Sequence, residues 1–211
     1  MLAAGAEPLV AAPCTGGMAG ELPCNAIDLL SHVKFADLNA RPAAANDVWG
    51  FVDLNTGREY VIAGYDIGTA VIDVTDPQDP FEVGFVDGQQ TVWRDPKVYQ
   101  QYDAAAGRWH AWAYVTADAT AKGISVIDLG GLPNGLHETA FASDFSQAHN
   151  AYVTNTDYSS GIALMDTAPL LVVAGANAGG GAFRVYSLAE PAAPVFVGAG
   201  LPADYTHDVS S

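Results

Sequence analysis

Three stretches of this chain repeat one plan of four short strands, and this repetition constrains the fold more than any other feature. In each copy a polar pair opens an apolar strand and a second apolar strand follows. A glycine-containing turn then precedes a strand such as Val71-Ile72-Asp73-Val74, and a short last strand ends the unit. The second residues of the opening pairs stand at positions 47, 95 and 150, and a fourth pair, His207-Asp208, places its second residue at position 208. The intervals are therefore 48, 55 and 58 residues.

Four antiparallel strands at such intervals are typical of a β-propeller blade. We therefore predict an all-β chain with four-stranded antiparallel blades at about 46–92, 93–148 and 149–205, the start of the next at 206, and an N-terminal segment over 1–45. The last strand of the second copy is predicted at Phe141-Ala142. A propeller needs at least about four blades to close its ring. Three blades and a start thus predict an incomplete propeller, which can self-associate through its open blade edge.

The N-terminal segment contains both cysteines, Cys14 and Cys24, with nine residues between them. Two thiols without a neighbouring His-Cys cluster suit a local disulfide better than a zinc site, which needs four ligands. The alternative is a pair of free thiols in a flexible tail. A disulfide indicates a location outside the cytosol. The first dozen residues lack a basic start and carry Glu7 and Pro8, so they do not form an intact signal peptide, and residues 25–33 fit a helical turn or a strand equally.

Composition narrows the class of protein and its partners. Half of the residues are apolar and 15% are charged, and no apolar run approaches the ~18 residues that a membrane span needs. The chain is therefore expected to be a soluble globular protein without a transmembrane segment. Its formal charge of −16 repels phosphate backbones and anionic membranes, so nucleic acid is not an expected partner. Such acidity also suits metal cations or high salt, but plain surface solvation is the favoured explanation, and the acidity indicates no specific function.

Several short motifs occur in an order that is similar to one known family. They are the Cys14 to Cys24 segment followed by Asn25-Ala26-Ile27-Asp28-Leu29-Leu30-Ser31-His32, then Asn46-Asp47-Val48-Trp49-Gly50, Gly57-Arg58-Glu59-Tyr60, Asp73-Val74-Thr75-Asp76-Pro77, Trp93-Arg94-Asp95-Pro96-Lys97-Val98-Tyr99, His149-Asn150 and Tyr205-Thr206-His207-Asp208. Over about residues 14–209 the chain resembles the choice-of-anchor B proteins, which contain LVIVD-type repeats. The resemblance implies a β-propeller that is secreted or held at the cell surface. It also implies that closing blades and an anchor are missing here, and it implies no particular reaction.

The opening pairs of the blades are the candidate functional residues. If they occupy equivalent places, rotation brings them together around the mouth of a central channel. The candidate ligand contacts are Asp47, Arg94, Asp95, His149, Asn150, His207 and Asp208. Among them Asp95, His149, His207 and Asp208 offer oxygen and nitrogen ligands that suit a divalent cation, calcium or zinc. Alternatively, such residues only accept backbone hydrogen bonds that hold the turns between blades, and Arg94 suits an anion or a buried Asp pair better than a cation.

Two function classes remain. The chain contains neither a Gly-x-Ser-x-Gly elbow nor a His-Glu-x-x-His motif, which removes the commonest hydrolase signatures. The first class is a non-catalytic binding or scaffold domain, secreted or at the cell surface, for a protein, glycan or small-molecule ligand. The second class is a metal-dependent hydrolase or lyase at the channel mouth, with a metal-bound water as nucleophile. The sequence favours the first class.

Overall fold

The regular structure of the protein is almost entirely β. The computed structural model describes residues 11–140, 144–201 and 205–210. In these ranges it contains no α-helix and one 3₁₀ turn at Phe35–Asp37. The strands are β1 (Met18–Ala19), β2 (Leu22–Pro23), β3 (Ala45–Val52), β4 (Glu59–Tyr65), β5 (Gly68–Asp73), β6 (Phe81–Asp87), β7 (Arg94–Asp103), β8 (Arg108–Ala117), β9 (Ser125–Asp128), β10 (His137–Ala140), β11 (Asn150–Val153), β12 (Leu170–Ala174), β13 (Arg184–Ser187) and β14 (Val195–Ala199).

Each copy of the repeat forms its own four-stranded antiparallel sheet. The first sheet contains β3 to β6, the second β7 to β10 and the third β11 to β14, and the strands of each sheet pair in chain order. The predicted all-β class and four-strand plan are therefore confirmed. The last strand of the second sheet begins earlier in the chain than predicted. β10 starts at His137, which pairs with Asp128 of β9. The predicted strand Phe141-Ala142 lies outside the described residues.

The third strand of each sheet ends in the same polar turn. The side-chain oxygens of Asp73, Asp128 and Ser187 each accept a hydrogen bond from the backbone N–H two positions further on, at 3.0, 2.7 and 3.2 Å. Short polar side chains bond in this way to their own backbone and so favour turns over continued strands. This local bond reverses the chain toward the fourth strand at the same place in every copy.

Apolar side chains fill the spaces between neighbouring sheets. On β7, Val98 packs toward the first sheet and the next residue, Tyr99, packs toward the third, because successive side chains of a strand point to opposite faces. Ala113 and Tyr114 on β8 divide in the same way. The second sheet therefore contributes both of its faces to buried cores, which explains why its inner strands are apolar almost throughout.

The N-terminal segment covers the other face of the first sheet. Leu38 is buried there, and Val33 packs beside it against Ala63, Tyr65 and other side chains of the sheet. Residues 25–33 form neither a helical turn nor a strand; they make only isolated bridges, one of which joins Leu29 to Ala12. Packing on the sheet thus decides the conformation of a stretch whose local pattern was ambiguous.

The disulfide predicted between Cys14 and Cys24 is confirmed. The S–S distance is 2.01 Å, the Cα atoms are 5.8 Å apart, and the bond spans the hairpin of β1 and β2. A disulfide is compatible with secretion. Among the described residues, no helix has the length and apolar character that crossing a membrane would require.

The packing between the second and third sheets predicts a large effect of a core truncation. Leu171 is fully buried in that core. We expect Leu171→Ala to lower the free energy of unfolding by about 2–5 kcal/mol, because it leaves a cavity. Urea denaturation measures the change. Leu164→Ala is the control, since Leu164 is 66% exposed; similar losses in the two variants would contradict the proposed core.

Removing the disulfide should destabilise the chain through its unfolded state. We expect the double variant Cys14→Ser, Cys24→Ser to lose on the order of 2–3 kcal/mol of unfolding free energy, because the open loop gains conformational entropy when unfolded. Urea denaturation of the oxidised parent and the variant gives the difference. An unchanged midpoint would show that this cross-link contributes nothing to stability.

Candidate functional site

The first strands of the three sheets, β3, β7 and β11, lie side by side and position the opening pairs of the repeat. The side chains around these pairs separate into two groups. The buried carboxylate cluster consists of Asp47, Trp49, Asp95 and Lys97. The imidazole cluster consists of Trp93, Asp118, His149, Tyr205, His207 and Asp208.

Asp95 connects the first strands of all three sheets. Its side chain is fully buried, and Oδ2 accepts a hydrogen bond of 2.7 Å from the backbone N–H of Ala151 on β11. Its Oδ1 accepts a hydrogen bond from Nζ of Lys97 on its own strand. Lys97 Nζ also lies 3.8 Å from Oδ2 of Asp47 on β3 and 4.7 Å from the ring centre of Trp49. The cluster therefore links the three sheets through polar contacts inside the protein.

Burial raises the pKa of Asp95 to about 7. Removal of water disfavours the charged carboxylate, and a hydrogen bond with Asp47 raises the pKa further. Lys97 and the N–H of Ala151 act in the opposite direction, but they do not outweigh burial. Asp95 therefore changes its protonation state near neutral pH, which is unusual for an aspartate.

Arg94 makes structural hydrogen bonds to the first sheet. Its side chain is buried, and its guanidinium donates to the carbonyl of Tyr65 at 2.8 Å and to the carbonyl of Gln89. Burial lowers the pKa of Arg94. A Cβ at Gly88 would lie 2.5 Å from the guanidinium, so a larger residue there would displace the Arg94 side chain. Arg94 thus holds a loop and does not join either cluster. Asn150, another predicted contact residue, pairs through its backbone with Ala174.

His149 is the anchored member of the imidazole cluster. Its side chain is 14% exposed and its Nδ1 lies 2.7 Å from Oδ2 of Asp118. A carboxylate can only accept hydrogen bonds, so Nδ1 of His149 is the donor in this contact. The ring stacks on Trp93 with centroids 5.2 Å apart. Its backbone carbonyl accepts a hydrogen bond of 3.1 Å from Thr116. These contacts fix the orientation of the inner imidazole.

His207 forms the outer, exposed part of the imidazole cluster. Its ring centroid lies 4.2 Å from that of His149 in an edge contact, and its Nδ1 is 2.6 Å from Oδ2 of Asp208. The side chains of His207 and Asp208 are 65% and 67% exposed. Tyr205 lies 6.3 Å from His207 between ring centroids and is also exposed. The cluster therefore presents two rings and a carboxylate on the surface.

Two glycines allow Tyr205 to lie against the third sheet. A Cβ at Gly175 would be 2.6 Å from the Tyr205 hydroxyl, and one at Gly181 would be 2.7 Å from its ring. Both glycines have positive φ angles, +65° and +92°, which other residues rarely adopt. The N–H of Thr206 donates to the carbonyl of Gly181 at 2.9 Å. The segment that carries His207 is thereby held beside His149.

The structure divides the four residues predicted to bind a metal. His149, His207 and Asp208 lie together, but Asp95 is buried in the other cluster and bonds to Lys97 and Ala151. An imidazole binds a metal in its ring plane, whereas His207 meets His149 at an interplanar angle of 60°. Within the described ranges, no group of three or more His, Cys, Asp or Glu side chains is arranged to hold a metal ion. The calcium or zinc site stays a prediction that this geometry does not support.

Sequence reasoning missed Lys97 and Asp118. Lys97 follows Asp95 by two positions on one strand, so alternation alone places both side chains on the same face. Asp118 directly follows β8 and therefore lies at the strand end that pairs with the start of β7. Trp93, which directly precedes the opening pair of the second copy, stacks on His149.

Comparisons with known proteins add no family to these observations. No protein-family model matches the chain, and no curated protein matches it significantly. The resemblance to choice-of-anchor B proteins therefore stays a prediction, and function must be argued from the two clusters themselves.

The raised pKa of Asp95 predicts an unusual pH dependence of stability. Between about pH 4 and pH 7 the folded protein retains a proton that the unfolded chain has lost, so the contribution of Asp95 to stability falls as pH rises. Compared with Asp95→Asn, the parent should lose up to about 4 kcal/mol of unfolding free energy over this window. Urea denaturation at several pH values measures the difference between the two proteins.

Asp73 supplies a control of opposite sign. Burial opposes its ionisation, but hydrogen bonds from Thr75 and from Arg58 outweigh burial and lower the pKa of Asp73. The stability advantage of the parent over Asp73→Asn should therefore be present above the ordinary pKa of 3.8 and disappear as pH falls further.

For Asp95, a difference in unfolding free energy between the parent and Asp95→Asn that stays constant from pH 4 to pH 7 would contradict the raised pKa.

Proposed function

We propose that this chain is a non-catalytic binding module of the β-propeller type that works outside the cytosol, with the imidazole cluster as its ligand contact. Three sheets built on one plan support the propeller part, because their first strands lie side by side as the inner strands of propeller blades do. The Cys14–Cys24 disulfide supports an extracellular location.

The contrast in exposure within the imidazole cluster carries the binding proposal. His149 is nearly buried and held by Asp118, whereas His207 is 65% exposed and lies on its ring. A fixed inner ring thus supports an outer ring beside the exposed carboxylate of Asp208 and the ring of Tyr205. Aromatic faces pack against flat apolar surfaces, and carboxylates accept hydrogen bonds from hydroxyl and N–H groups. This combination suits a glycan, a protein loop or a small polar ligand.

Histidine-selective NMR with a panel of glycans and small polar molecules tests the proposal. We expect ligands that shift the side-chain signals of His149 and His207 together, while those of the remote histidines His32, His110 and His137 stay unchanged. His207→Ala should abolish these shifts without lowering stability, because its side chain is exposed. His32→Ala is the matched control, since His32 is also exposed.

His149→Ala separates a structural role from a binding role. Truncation leaves the partly buried Asp118 without its partner and removes the stacking on Trp93. We expect a loss on the order of 1–3 kcal/mol in unfolding free energy, measured by urea denaturation. A destabilised His149→Ala, together with a His207→Ala that keeps all ligand-induced shifts, would leave the cluster with a structural role alone.

The metal-dependent hydrolase or lyase remains the alternative, and metal analysis discriminates it. The binding proposal requires no stoichiometric cation. One divalent ion per purified chain, lost in His149→Ala and His207→Ala, would favour the enzyme, since a metal-bound water would then be available as nucleophile.

A further inference from the structure

A cleft lies between the first and second sheets at the end opposite the imidazole cluster. Its volume is about 490 Å³, within the range of small-ligand sites. We call it the Arg108 cleft. Its apolar lining consists of Phe51, Trp109, Ala111, Leu129 and Leu132, and its polar rim includes Thr56, Arg108 and Asn134.

Hydrogen bonds between the two sheets hold the cleft open. Asn55, in the turn between β3 and β4, donates from Nδ2 to the carbonyl of Trp109 at 2.9 Å. Its Oδ1 accepts from the N–H of Trp109, also at 2.9 Å. This double contact fixes the turn of one sheet to the edge of the other and places Trp109 at the wall. The cleft is therefore preformed, which lowers the ordering cost of binding a ligand.

Arg108 is an exposed cation without an acidic partner. Its Nη2 donates to the carbonyl of Gly130 at 2.9 Å, which holds the guanidinium at the rim and leaves its other N–H groups for another acceptor. In the part of the chain that the structure describes, no carboxylate lies within 4 Å of it. Its cross-strand neighbour, Asp103, instead accepts from two N–H groups of its own turn, at 2.8 and 3.0 Å.

This isolation is unusual for so acidic a chain. The sequence has 24 acidic and 8 basic residues, and Arg58, Lys97, Lys122 and Arg184 all form ion pairs. Arg41 and Arg94 also lack a carboxylate within 4 Å in the described ranges, but neither lines the Arg108 cleft, and Arg94 is buried. Arg108 combines an unpaired charge with a cleft, so the missing anion can come from a ligand.

The acidic residue that lines the cleft does not supply this anion. Asp53 accepts hydrogen bonds from the N–H and the side-chain amide of Asn55, at 3.0 and 3.1 Å, and from the hydroxyl of Thr56 at 2.6 Å. These local bonds use its carboxylate within the turn. The rim therefore offers mainly hydrogen-bond donors from Arg108, and the wall and floor offer apolar surface.

We propose that the Arg108 cleft binds a small carboxylate with a flat apolar body, such as an aromatic acid. The carboxylate would receive two parallel N–H bonds from the guanidinium, an arrangement that arginine favours. The apolar body would replace water against Trp109 and Leu132. This site is separate from the imidazole cluster and does not depend on its ligand.

An NMR titration with benzoate tests the inference, with benzamide as a neutral ligand of the same shape. We expect benzoate to shift the indole N–H of Trp109 and the side-chain N–H of Arg108, and to bind more weakly as salt is added. Arg108→Gln should weaken benzoate binding about tenfold or more, since a charged hydrogen-bond pair is lost. Arg108→Lys should be intermediate, because it keeps the charge and loses the planar fork.

Two controls separate the cleft from other effects. Arg41→Gln removes an equal charge away from the cleft and should bind benzoate as the parent does. His207→Ala should also bind normally, so failure of one site is distinguishable from failure of the other. Equal binding of benzoate and benzamide, unchanged benzoate binding in Arg108→Gln, or no shift of Trp109 at the highest soluble benzoate concentration would each overturn the proposal.

Discussion

The buried carboxylate of Asp95 is the contact on which the arrangement of the three sheets depends most. Apolar packing holds neighbouring sheets together in pairs, but such packing is non-directional. The hydrogen bond from Ala151 to Asp95 is directional and joins the second sheet to the third. Lys97, between Asp95 and Asp47, extends the contact to the first sheet. Burial of the Asp95 carboxyl costs desolvation energy, and its raised pKa reflects that cost.

The two ends of the sheets differ in how polar groups are used. At the end where the first strands begin, polar side chains contact each other across sheets, as His149 contacts Asp118. At the opposite end, they are used mostly within single turns, as in Asp53 and Asp103. Asn55 and Arg108 are exceptions there, because Asn55 bonds to the backbone of Trp109 on the next sheet and Arg108 donates to a carbonyl and keeps its charge exposed. The opening pairs of the repeat therefore connect the sheets at one end. At the other end the turns leave space for the Arg108 cleft.

Sequence reasoning recovered the fold more fully than the site. The repeat predicted the strands of the three four-stranded sheets because alternation and turn residues are local signals. Its one displaced strand, in the second sheet, lies where pairing with β9 sets the boundary. Rotational symmetry of the repeat predicted that the opening pairs lie close together, but it could not predict which way each side chain faces. That choice separates Asp95 from His149 and directs Arg94 to the carbonyl of Tyr65. The Arg108 cleft was not predictable, because it depends on the distance between two sheets.

Because the chain is so acidic, the partners of its few basic side chains are informative. With a formal charge of −16, each buried or exposed basic group has many possible acidic partners. Arg94 nevertheless binds carbonyls, because its buried position faces the backbone of a loop. Lys97 lies between the side chains of Asp47 and Asp95, which meet across the first strands. Arg108 has neither role. Its guanidinium attracts an anion only at short range, because salt screens more distant charges, so the apolar lining of the cleft must add binding free energy by removing ligand surface from water.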